Sequence, residues 1–262
     1  MAQKKTITEI RELLQAEEIE AQLLKELQGD LRKGVQQLLN ARERRLKRQQ
    51  EEKERLYVMG HYERLWRQQG KELVCGVDEA GRGPLAGPVA VAAVILPLNC
   101  VITGINDSKK LSPLQRDRLY EEVRKQAVAI SLVWVEPEEI DQYNIYQATV
   151  RGMERAVRQL QPAPQAVLAD AIDLKRLEIP CQALIHGDAL SASIAAASII
   201  AKVERDRLMA RLDEQYPGYS FREHKGYGTA EHMEALRKLG PSPIHRKTFE
   251  PIRSMLAGED AQ

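Results

Sequence analysis

The sequence predicts an α/β fold in which a five-stranded mixed sheet carries helices on both faces. From about residue 71 onward, apolar strand-like runs alternate with longer helix-like segments, a pattern typical of sheets joined by helical crossovers. A short loop separates the first two apolar runs, which favours an antiparallel hairpin over a crossover. The sheet is therefore expected to combine antiparallel and parallel pairs.

The individual elements are predicted from apolar runs, periodicity and helix-starting residues. We predict strands at residues 73–77, 89–96, 129–135, 166–169 and 183–186. We predict helices at residues 113–126, 137–159, 189–216 and 230–239. Pro113 and Pro137 suit first helical positions, because proline has a helix-compatible φ and the N–H that it lacks has no helical partner there.

The residues before this alternation predict a helical extension. They contain no proline and few glycines. Thr6-Ile7-Thr8-Glu9 has the spacing of a capping box that opens a helix, and Gly29-Asp30 marks a turn. Residues 31–68 suit one long helix or two. We therefore divide the chain into a helical extension over 1–70 and a second domain over 71–262, whose C-terminal part is also helical.

A basic stretch within the extension has two interpretations. Between residues 41 and 55 the chain is rich in basic side chains, namely Arg42, Arg44, Arg45, Lys47, Arg48, Lys53 and Arg55. Such a helix can lie along a phosphate backbone, or it can be a solvated helix with pairs of opposite charge. We favour the solvated helix, because Glu43, Glu51, Glu52 and Glu54 dilute the positive charge.

Composition indicates a soluble protein of a reducing compartment. Charged residues make up 29% of the chain and hydrophobic residues 43%, with no apolar run long enough to span a membrane. The N-terminus lacks the apolar core of a signal peptide, and three scattered cysteines do not form a disulfide or zinc pattern. We expect a cytoplasmic protein without membrane contact. The net charge of +1 gives no support to nucleic-acid binding, which depends on local clusters of charge instead.

The most informative segment joins two carboxylates to a glycine-rich turn. Asp78 and Glu79 follow an apolar strand-like run, and Gly81-Arg82-Gly83 comes directly after them. Carboxylates at the edge of a sheet suit a divalent metal, and an arginine beside them suits a phosphate. The alternative is a charged hairpin turn with a surface ion pair, which is the commoner setting for an arbitrary Asp-Glu pair.

Residues 78–88 resemble the signature of the ribonuclease HII family. Further segments resemble the same family in the same order: Asp107-Ser108-Lys109-Lys110-Leu111-Ser112, Leu168-Ala169-Asp170-Ala171, His186-Gly187-Asp188 with residues 194–206, and His224-Lys225-Gly226-Tyr227-Gly228-Thr229. The resemblance covers roughly residues 72–253 and leaves the extension unexplained. It implies a ribonuclease H-like fold.

The resemblance implies that Asp78, Glu79, Asp170 and Asp188 are the catalytic and metal-binding residues. It implies Mg²⁺ or Mn²⁺ as the cofactor, in a site for two ions, with Asp78 bridging them and Glu79 more peripheral. All four stand at predicted ends of elements, where side chains from different strands can converge. Asp173 is a rival of Asp170 that we interpret as a turn residue, and Asp188 has the alternative role of a helix N-cap.

The resemblance also implies which residues bind substrate. Gly81, Arg82, Gly83 and Tyr227 are expected to recognise the ribose, because an enzyme that acts on RNA must detect the 2′-hydroxyl. The glycines are equally suited to a tight turn, and a tyrosine in such a loop is often a packing residue. The basic and hydroxyl candidates for phosphate binding are Ser108, Lys109, Lys110, Arg222, Lys225, Arg246 and Lys247, with Lys202 as a further substrate-binding candidate.

Other polar residues have competing interpretations. Lys202 and Arg205 can balance the acidic cluster or form ordinary ion pairs along one helix. His224, His232 and His245 match no common spacing of histidine metal ligands, so we interpret them as loop or packing residues.

The implied function is hydrolysis of the RNA strand in RNA–DNA hybrids and cleavage 5′ to single ribonucleotides in duplex DNA. The products would carry a 5′-phosphate and a 3′-hydroxyl, and the role would be ribonucleotide removal and primer processing by a monomer. One alternative is a ribonuclease HIII-like enzyme, expected to carry a sheet in its N-terminal domain, or a junction resolvase. Another alternative is a nucleic-acid-binding module without catalysis.

Overall fold

The structure is a computed structural model that describes residues 5–16 and 19–258. The chain divides into two compact units, Met1–Tyr57 and Val58–Gln262. This division lies before the boundary predicted at residue 70. The physical reason is that a helix at His61–Gln68 packs with the sheet of the second unit. In the described parts of the chain, no helix is long and apolar enough to cross a membrane.

The first unit consists of helices. α1 spans Ile7–Leu13, α2 spans Ala21–Gln28, and α3 spans Lys33–Met59 and continues past the unit's last residue. The predicted capping box is confirmed, because the Glu9 N–H donates to the Thr6 hydroxyl while the Glu9 carboxylate accepts from the Thr6 N–H. The small apolar core of this unit contains Ile10, Leu14, Leu27 and Val35.

The second unit contains the sheet and the remaining helices. Its strands are β1 (Val74–Ala80), β2 (Val89–Ile95), β3 (Ala129–Val135), β4 (Ala166–Asp170) and β5 (Cys181–Leu184). Its helices are α4 (His61–Gln68), α5 (Pro113–Gln126), α6 (Pro137–Gln159), α7 (Gly187–Leu190), α8 (Ala192–Gln215), α9 (Phe221–His224), α10 (Ala230–Leu239) and α11 (Ile252–Ala257). A 3₁₀ turn spans Ser108–Lys110.

The sheet has the strand order β3-β2-β1-β4-β5. β2 pairs antiparallel with β1 and with β3, whereas β4 pairs parallel with β1 and with β5. The five-stranded mixed sheet and its first hairpin are therefore confirmed. β1 lies at the centre of the sheet, so its carboxylates have a neighbouring strand on each side.

Helices cover both faces of the sheet. α6 packs on one face through a core that includes Cys75 and Val77 of β1, where each fully buried aliphatic side chain contributes about 1.5–3 kcal/mol. α8 packs on the other face, and Gly76 permits the closest approach. A Cβ at this glycine would lie 2.1 Å from the backbone carbonyl carbon of Ser193. This close packing brings the middle of α8 next to the carboxyl end of β1.

Several predicted boundaries differ from the structure. β1 continues past the predicted end at residue 77, because Asp78 and Glu79 remain paired with Ala92 and Val91 of β2. β5 lies two residues earlier than predicted, since this edge strand is half-exposed and has no clear apolar pattern. The helix predicted at 189–216 is two helices, separated by the extended residue Ser191. The chain at 31–68 forms two helices with a break at Gly60, which is one of the two arrangements predicted.

Candidate active site

Asp78 lies on β1 beneath α8. Its side chain is buried, its Oδ1 accepts a hydrogen bond from the Glu79 N–H at 2.8 Å, and Ser198 of α8 is a further hydrogen-bond partner. Burial raises the pKa of this carboxyl well above its usual range, and the charges of Glu79 and Asp170 raise it further. Asp78 is therefore the carboxylate whose charge is most costly to hold in this structure.

Glu79 is next to it and carries an unpaired oxygen. Its Oε1 accepts from Arg82 Nη1 at 3.2 Å, while its Oε2 is buried and has no hydrogen-bond partner. Burial raises the pKa of Glu79 despite the lowering effect of Arg82. A buried polar atom without a partner is uncommon in native structures and indicates a position where another group binds.

Asp170 and Asp188 complete the group of acids, which we call the carboxylate cluster together with Asp78 and Glu79. Asp170 ends β4, beside β1, and its Oδ1 accepts from the Gly187 N–H at 2.7 Å. Asp188 lies in α7, and its pKa is raised by burial first and then by the charges of Asp107 and Asp170. Asp188 does not cap α8, because Ser191 occupies that position. The structure thus brings the four predicted acids together.

The cluster suits a divalent cation in its chemistry. Across residues 5–16 and 19–258, no three Asp, Glu, His or Cys side chains form a ready-made set of metal ligands. The carboxylates instead accept from local donors, as expected for like charges that repel one another. Their oxygens are nevertheless the ligand type that Mg²⁺ and Mn²⁺ prefer, and a cation would satisfy the unpaired Oε2 of Glu79. The residues present therefore fit a hard divalent cation in the chemistry of their oxygens.

Asp107 is an acid of this site that sequence reasoning did not single out. It caps the 3₁₀ turn by accepting from the Lys109 N–H at 2.9 Å, and its carboxyl also contacts Asp188. Lys109 on the same turn lowers the pKa of both Glu79 and Asp188, although burial outweighs it. The sequence signal was present, because Asp107 opens the segment that supplies the predicted lysines.

Ser108 supports the site from the interior. It is only 3% exposed, and its hydroxyl lies 2.9 Å from that of Ser198, which also contacts Asp78. Arg116 of α5 donates to the carbonyl oxygens of Ser108 and Leu111 and so fixes the turn. The predicted substrate residue Ser108 therefore connects the lysine-bearing turn to the carboxylate cluster.

Two loops lie beside the cluster, the glycine loop (residues 81–88) and the tyrosine loop (residues 225–229). The Leu85 N–H donates to the Gly226 carbonyl at 2.8 Å, which joins the two loops. Tyr227 is 45% exposed, and a Cβ built on Gly83 would lie 3.5 Å from its ring. The glycine loop follows Glu79 closely in the chain. The structure thus places Tyr227 beside Gly83 of this loop, so the predicted ribose-recognition residues lie side by side.

Two buried arginines hold these loops. Arg205 is 1% exposed and donates to the carbonyls of Ala86, Pro88 and Lys225. Arg246 is fully buried and donates to the carbonyls of Gly81, Arg82 and Gly87. In the described chain, no carboxylate forms an ion pair with either arginine. Burial lowers the pKa of Arg205 to about 10 and that of Arg246 to about 9, so both remain charged at neutral pH.

Arg205 therefore has neither of the roles considered from the sequence. It forms no ion pair along α8, and it bonds to loop carbonyls instead of facing the acids. Gly81 has φ of +97°, and a Cβ there would lie 1.9 Å from Arg205 Nε. Glycine is required at this position by both its left-handed conformation and the adjacent guanidinium.

The three histidines support the tyrosine loop, as their interpretation as loop or packing residues expected. His224 and His232 stack with ring centroids 4.4 Å apart, and His232 Nε2 lies 3.0 Å from His245 Nε2. His232 Nδ1 bonds to the Tyr227 carbonyl, and the Gly226 N–H donates to His224 Nδ1. All three rings are therefore neutral members of a hydrogen-bonded group beneath Tyr227.

The remaining predicted residues lie at varied positions. Lys202 forms an ion pair with Asp206 at 2.8 Å, one turn along α8. Lys110 is exposed and 4.0 Å from Asp107, and the Lys225 ammonium donates to the Arg222 carbonyl. Asp173 forms an exposed pair with Lys175, which agrees with its interpretation as a turn residue.

Glu63 of α4 is a supporting residue that the sequence did not reveal. It is 4% exposed, and its Oε1 accepts from the Ser191 hydroxyl at 2.6 Å and from the Ser193 N–H at 3.0 Å. A carboxylate is favourable at the N-terminus of a long helix such as α8. Glu63 therefore anchors the turn between Asp188 and α8, with Tyr62 and Trp66 packed nearby on the sheet.

Comparisons with known proteins point in one direction. A family model described as "Ribonuclease HII" matches residues 75–252, and one described as "Ribonuclease HII N-terminal domain" matches residues 6–67. The chain is 50% identical over 256 residues to "Ribonuclease HII" of Bacillus cytotoxicus, covering 97% of this chain and 98% of that protein.

Solved structures agree with this similarity. The crystal structure of ribonuclease H2 from Pyrococcus horikoshii OT3 superposes with a TM-score of 0.63 at 28% identity, covering 72% of this chain and all of that one. Ribonuclease HII in its PCNA complex from Archaeoglobus fulgidus superposes with a TM-score of 0.58 at 28% identity, covering 68% and 95% of the two chains.

Proposed function

Because this chain belongs to the ribonuclease HII family, and is therefore a hydrolytic endoribonuclease that acts on RNA–DNA hybrids, we propose that it also cuts duplex DNA 5′ to single embedded ribonucleotides. The observation that carries this proposal is the position of Tyr227 against Gly83, directly beside the carboxylate cluster. The residues proposed to detect one ribose and its neighbouring sugar would thus lie next to the residues proposed to cut.

Asp78, Glu79, Asp170 and Asp188 are the proposed catalytic residues and would hold the ions. The family is metal-dependent, and we propose two ions, Mg²⁺ or Mn²⁺. When bound, divalent ions supply Lewis acidity and lower the pKa of water. Asp78 would be one of the residues that hold the ions, because it is the most buried acid of the cluster and the charges of Glu79 and Asp170 act on it. Glu79 would use Oε2, which has no other partner.

The proposed substrate residues divide by what they would contact. Gly81, Arg82 and Gly83 would contact the ribose and its phosphate, and Tyr227 would stack on the next sugar, where deoxyribose fits. Lys109 faces the carboxylates and would bind the phosphate that is cut. Lys110 and Lys225 would contact more distant phosphates. Ser108 and Lys202 would support the site without contacting the substrate directly, since each already bonds to another side chain of the protein.

We further propose the setting in which the activity operates. The enzyme would act as a cytoplasmic monomer that removes ribonucleotides from DNA and processes primers during replication and repair. Residues 71–262 would contain the catalytic domain, with the substrate-binding part at its helical C-terminus, and residues 1–70 would be the extension. In the described parts of the chain before Val74 there are helices and no strand, which disfavours the ribonuclease HIII-like alternative.

The experiment is cleavage of an end-labelled DNA duplex that contains one ribonucleotide, with and without Mg²⁺ or Mn²⁺. The expected product is a single metal-dependent cut on the 5′ side of that ribonucleotide, ending in a 3′-hydroxyl and a 5′-phosphate. Cleavage confined to long hybrids would instead favour the ribonuclease HIII-like alternative. Binding without cleavage would favour a module without catalysis.

A further inference from the structure

Arg246 fixes the orientation of two consecutive peptide groups in the glycine loop. Its Nη2 donates to the Gly81 carbonyl and its Nη1 to the Arg82 carbonyl, each at 2.6 Å. Its Nε and Nη2 also donate to the Gly87 carbonyl at 3.1 and 2.9 Å. One planar guanidinium therefore binds both ends of the loop at once, which the fork of arginine donors permits and a lysine ammonium does not.

The orientation of these carbonyls determines the orientation of the N–H groups. In a planar trans peptide, the carbonyl oxygen of one residue and the N–H of the next point in opposite directions. The carbonyls of Gly81 and Arg82 point inward at Arg246, so the N–H groups of Arg82 and Gly83 point away from the interior. Arg82 is half-exposed and Gly83 is exposed.

These two N–H groups are free hydrogen-bonding groups of the loop. Within the part of the chain that the structure describes, neither N–H donates to a backbone or side-chain acceptor. The two carbonyls of the same peptides are already occupied by Arg246. The loop therefore offers hydrogen-bond donors, and no acceptor from these peptides, to whatever lies beside Tyr227.

We propose that Arg246 is a positioning residue that determines how the ribose is recognised. By holding the two carbonyls inward, it presents the N–H groups of Arg82 and Gly83 to the 2′-oxygen, which acts as the acceptor. This inference rests on the proposed function, because it names the device behind the recognition of a single ribonucleotide. Arg246 itself contacts no substrate atom.

The chemistry of Arg246 favours this role over simple packing. A buried charge without a carboxylate partner is costly unless its donors are satisfied. Here each guanidinium nitrogen has a carbonyl acceptor, so the charge is satisfied only while the loop keeps this conformation. The loop conformation and the charge therefore depend on each other.

The experiment compares Arg246→Lys with Arg205→Lys as a matched control. Both arginines are buried and both bond to three carbonyls, but only Arg246 binds the peptides that carry the Arg82 and Gly83 N–H groups. Dissociation constants are measured in EDTA by fluorescence anisotropy for a duplex with one ribonucleotide and for the same all-DNA duplex. The ratio of interest is the dissociation constant of the all-DNA duplex divided by that of the ribonucleotide duplex. We expect Arg246→Lys to reduce this ratio by about tenfold, because two ordered hydrogen bonds are lost.

The control and a second measurement keep this test decisive. Arg205→Lys should lower the unfolding temperature while leaving the ratio within about twofold of the wild-type value. In this variant Arg246 still holds the carbonyls of Gly81 and Arg82. In the wild-type protein, amide NMR signals of Arg82 and Gly83 should shift on binding the ribonucleotide duplex and not on binding the all-DNA duplex. This second measurement requires no variant to fold.

Specific outcomes would overturn the proposal. An unchanged ratio in Arg246→Lys, an equal loss in Arg205→Lys, or unshifted Arg82 and Gly83 amides would each exclude the positioning role. If wild-type protein binds and cuts the two duplexes alike, the proposed function fails instead. The wild-type control therefore separates failure of the positioning role from failure of the function.

Discussion

The two halves of the active site differ in how completely their polar groups are satisfied. In the carboxylate cluster, burial and mutual repulsion raise the pKa of Asp78, Glu79 and Asp188, and one Glu79 oxygen has no partner. In the glycine and tyrosine loops, Arg205 and Arg246 bind the inward-facing carbonyls, and neutral histidines support Tyr227. In the recognition half, every guanidinium nitrogen of the two arginines thus has an acceptor without a ligand, and two N–H groups of the loop are left free. In the catalytic half, a buried carboxylate oxygen has no partner.

This difference separates a destabilising region, the carboxylate cluster, from a region that is ordered before substrate binds, the two loops. The acids are destabilising until cations neutralise them, because four carboxylates share a partly buried space. The loops are organised in advance, so binding a ribose requires little further ordering.

Replacing Asp78 should have the largest effects, and it should lower activity while raising stability. We expect Asp78→Asn to lower kcat by a factor on the order of 10³, because an essential charge beside the reacting groups is lost. The same change should raise the free energy of unfolding of the metal-free protein at pH 7 by about 1–2 kcal/mol, because the raised pKa of Asp78 marks a costly charge. Cleavage assays and urea unfolding measure the two effects.

Asp188→Asn is the companion variant for this prediction. It should also abolish most of the activity, with a smaller gain in stability, because Asp188 is less enclosed than Asp78. Correctly folded variants that cut as fast as wild type would contradict the assignment of both residues.

Acid should weaken the recognition half through its histidines. Burial and the neighbouring His232 lower the pKa of His245 to about 4, so the folded state resists a proton that the unfolded state accepts from about pH 6.5. The stabilisation that the neutral His245 ring contributes is intact above the pKa of histidine in the unfolded chain, and it is lost as the pH falls toward 4. We expect a loss of about 2 kcal/mol between pH 7 and pH 5, measured by urea unfolding.

His245→Gln is the control for this pH dependence. The variant should be less stable at pH 7 and should lose less stability on acidification, because the residue that resists protonation is gone. The raised pKa values of the carboxylate cluster act in the opposite direction in both proteins and cancel in the comparison. Equal slopes in the two proteins would argue against the histidine explanation.

Glu63 should connect α4 to the catalytic half. Glu63→Ala leaves the Ser191 hydroxyl and the Ser193 N–H without their acceptor, which should cost about 1–3 kcal/mol in unfolding free energy. We expect a further loss of activity of about tenfold, because the turn that carries Asp188 loosens. Thermal unfolding and kcat measure these effects.

Glu63→Gln provides the matched comparison, since its amide oxygen can still accept both hydrogen bonds. It should retain most of the activity that the alanine variant loses. A chain shortened to begin at Lys71 should resemble the alanine variant, whereas one that begins at Val58 keeps α4. If the alanine and glutamine variants behave alike, the hydrogen bonds of Glu63 do not support the site.

The sequence was sufficient for features that depend on local pattern. The mixed sheet follows from alternating apolar runs, and two helices begin and end as predicted, at Pro113–Gln126 and Ala230–Leu239. The segment Pro137–Gln159 also has the predicted ends, but it is interrupted at Asn144, whose φ is 63°. The proposed acids follow from a motif that resembles one family, and the structure gathers them at one place.

What the sequence did not reveal depends on tertiary contacts. Arg246 is a phosphate-binding candidate from the sequence, and Arg205 is a candidate for balancing the acids or for ion pairing. Packing instead buries both arginines against loop carbonyls. Glu63 is distant in sequence from the serines it binds, so no local pattern marks it. Asp107 adjoins a predicted lysine pair, yet only folding brings its carboxyl to Asp188.

The most direct test of the contrast between the two halves is amide hydrogen exchange of the wild-type protein with and without Mg²⁺. We predict that Mg²⁺ increases protection at residues 78–79, 170 and 187–188 and leaves residues 85–87 and 225–228 unchanged, because those loops are already ordered. Equal changes in both regions, or protection gained mainly in the loops, would contradict the account.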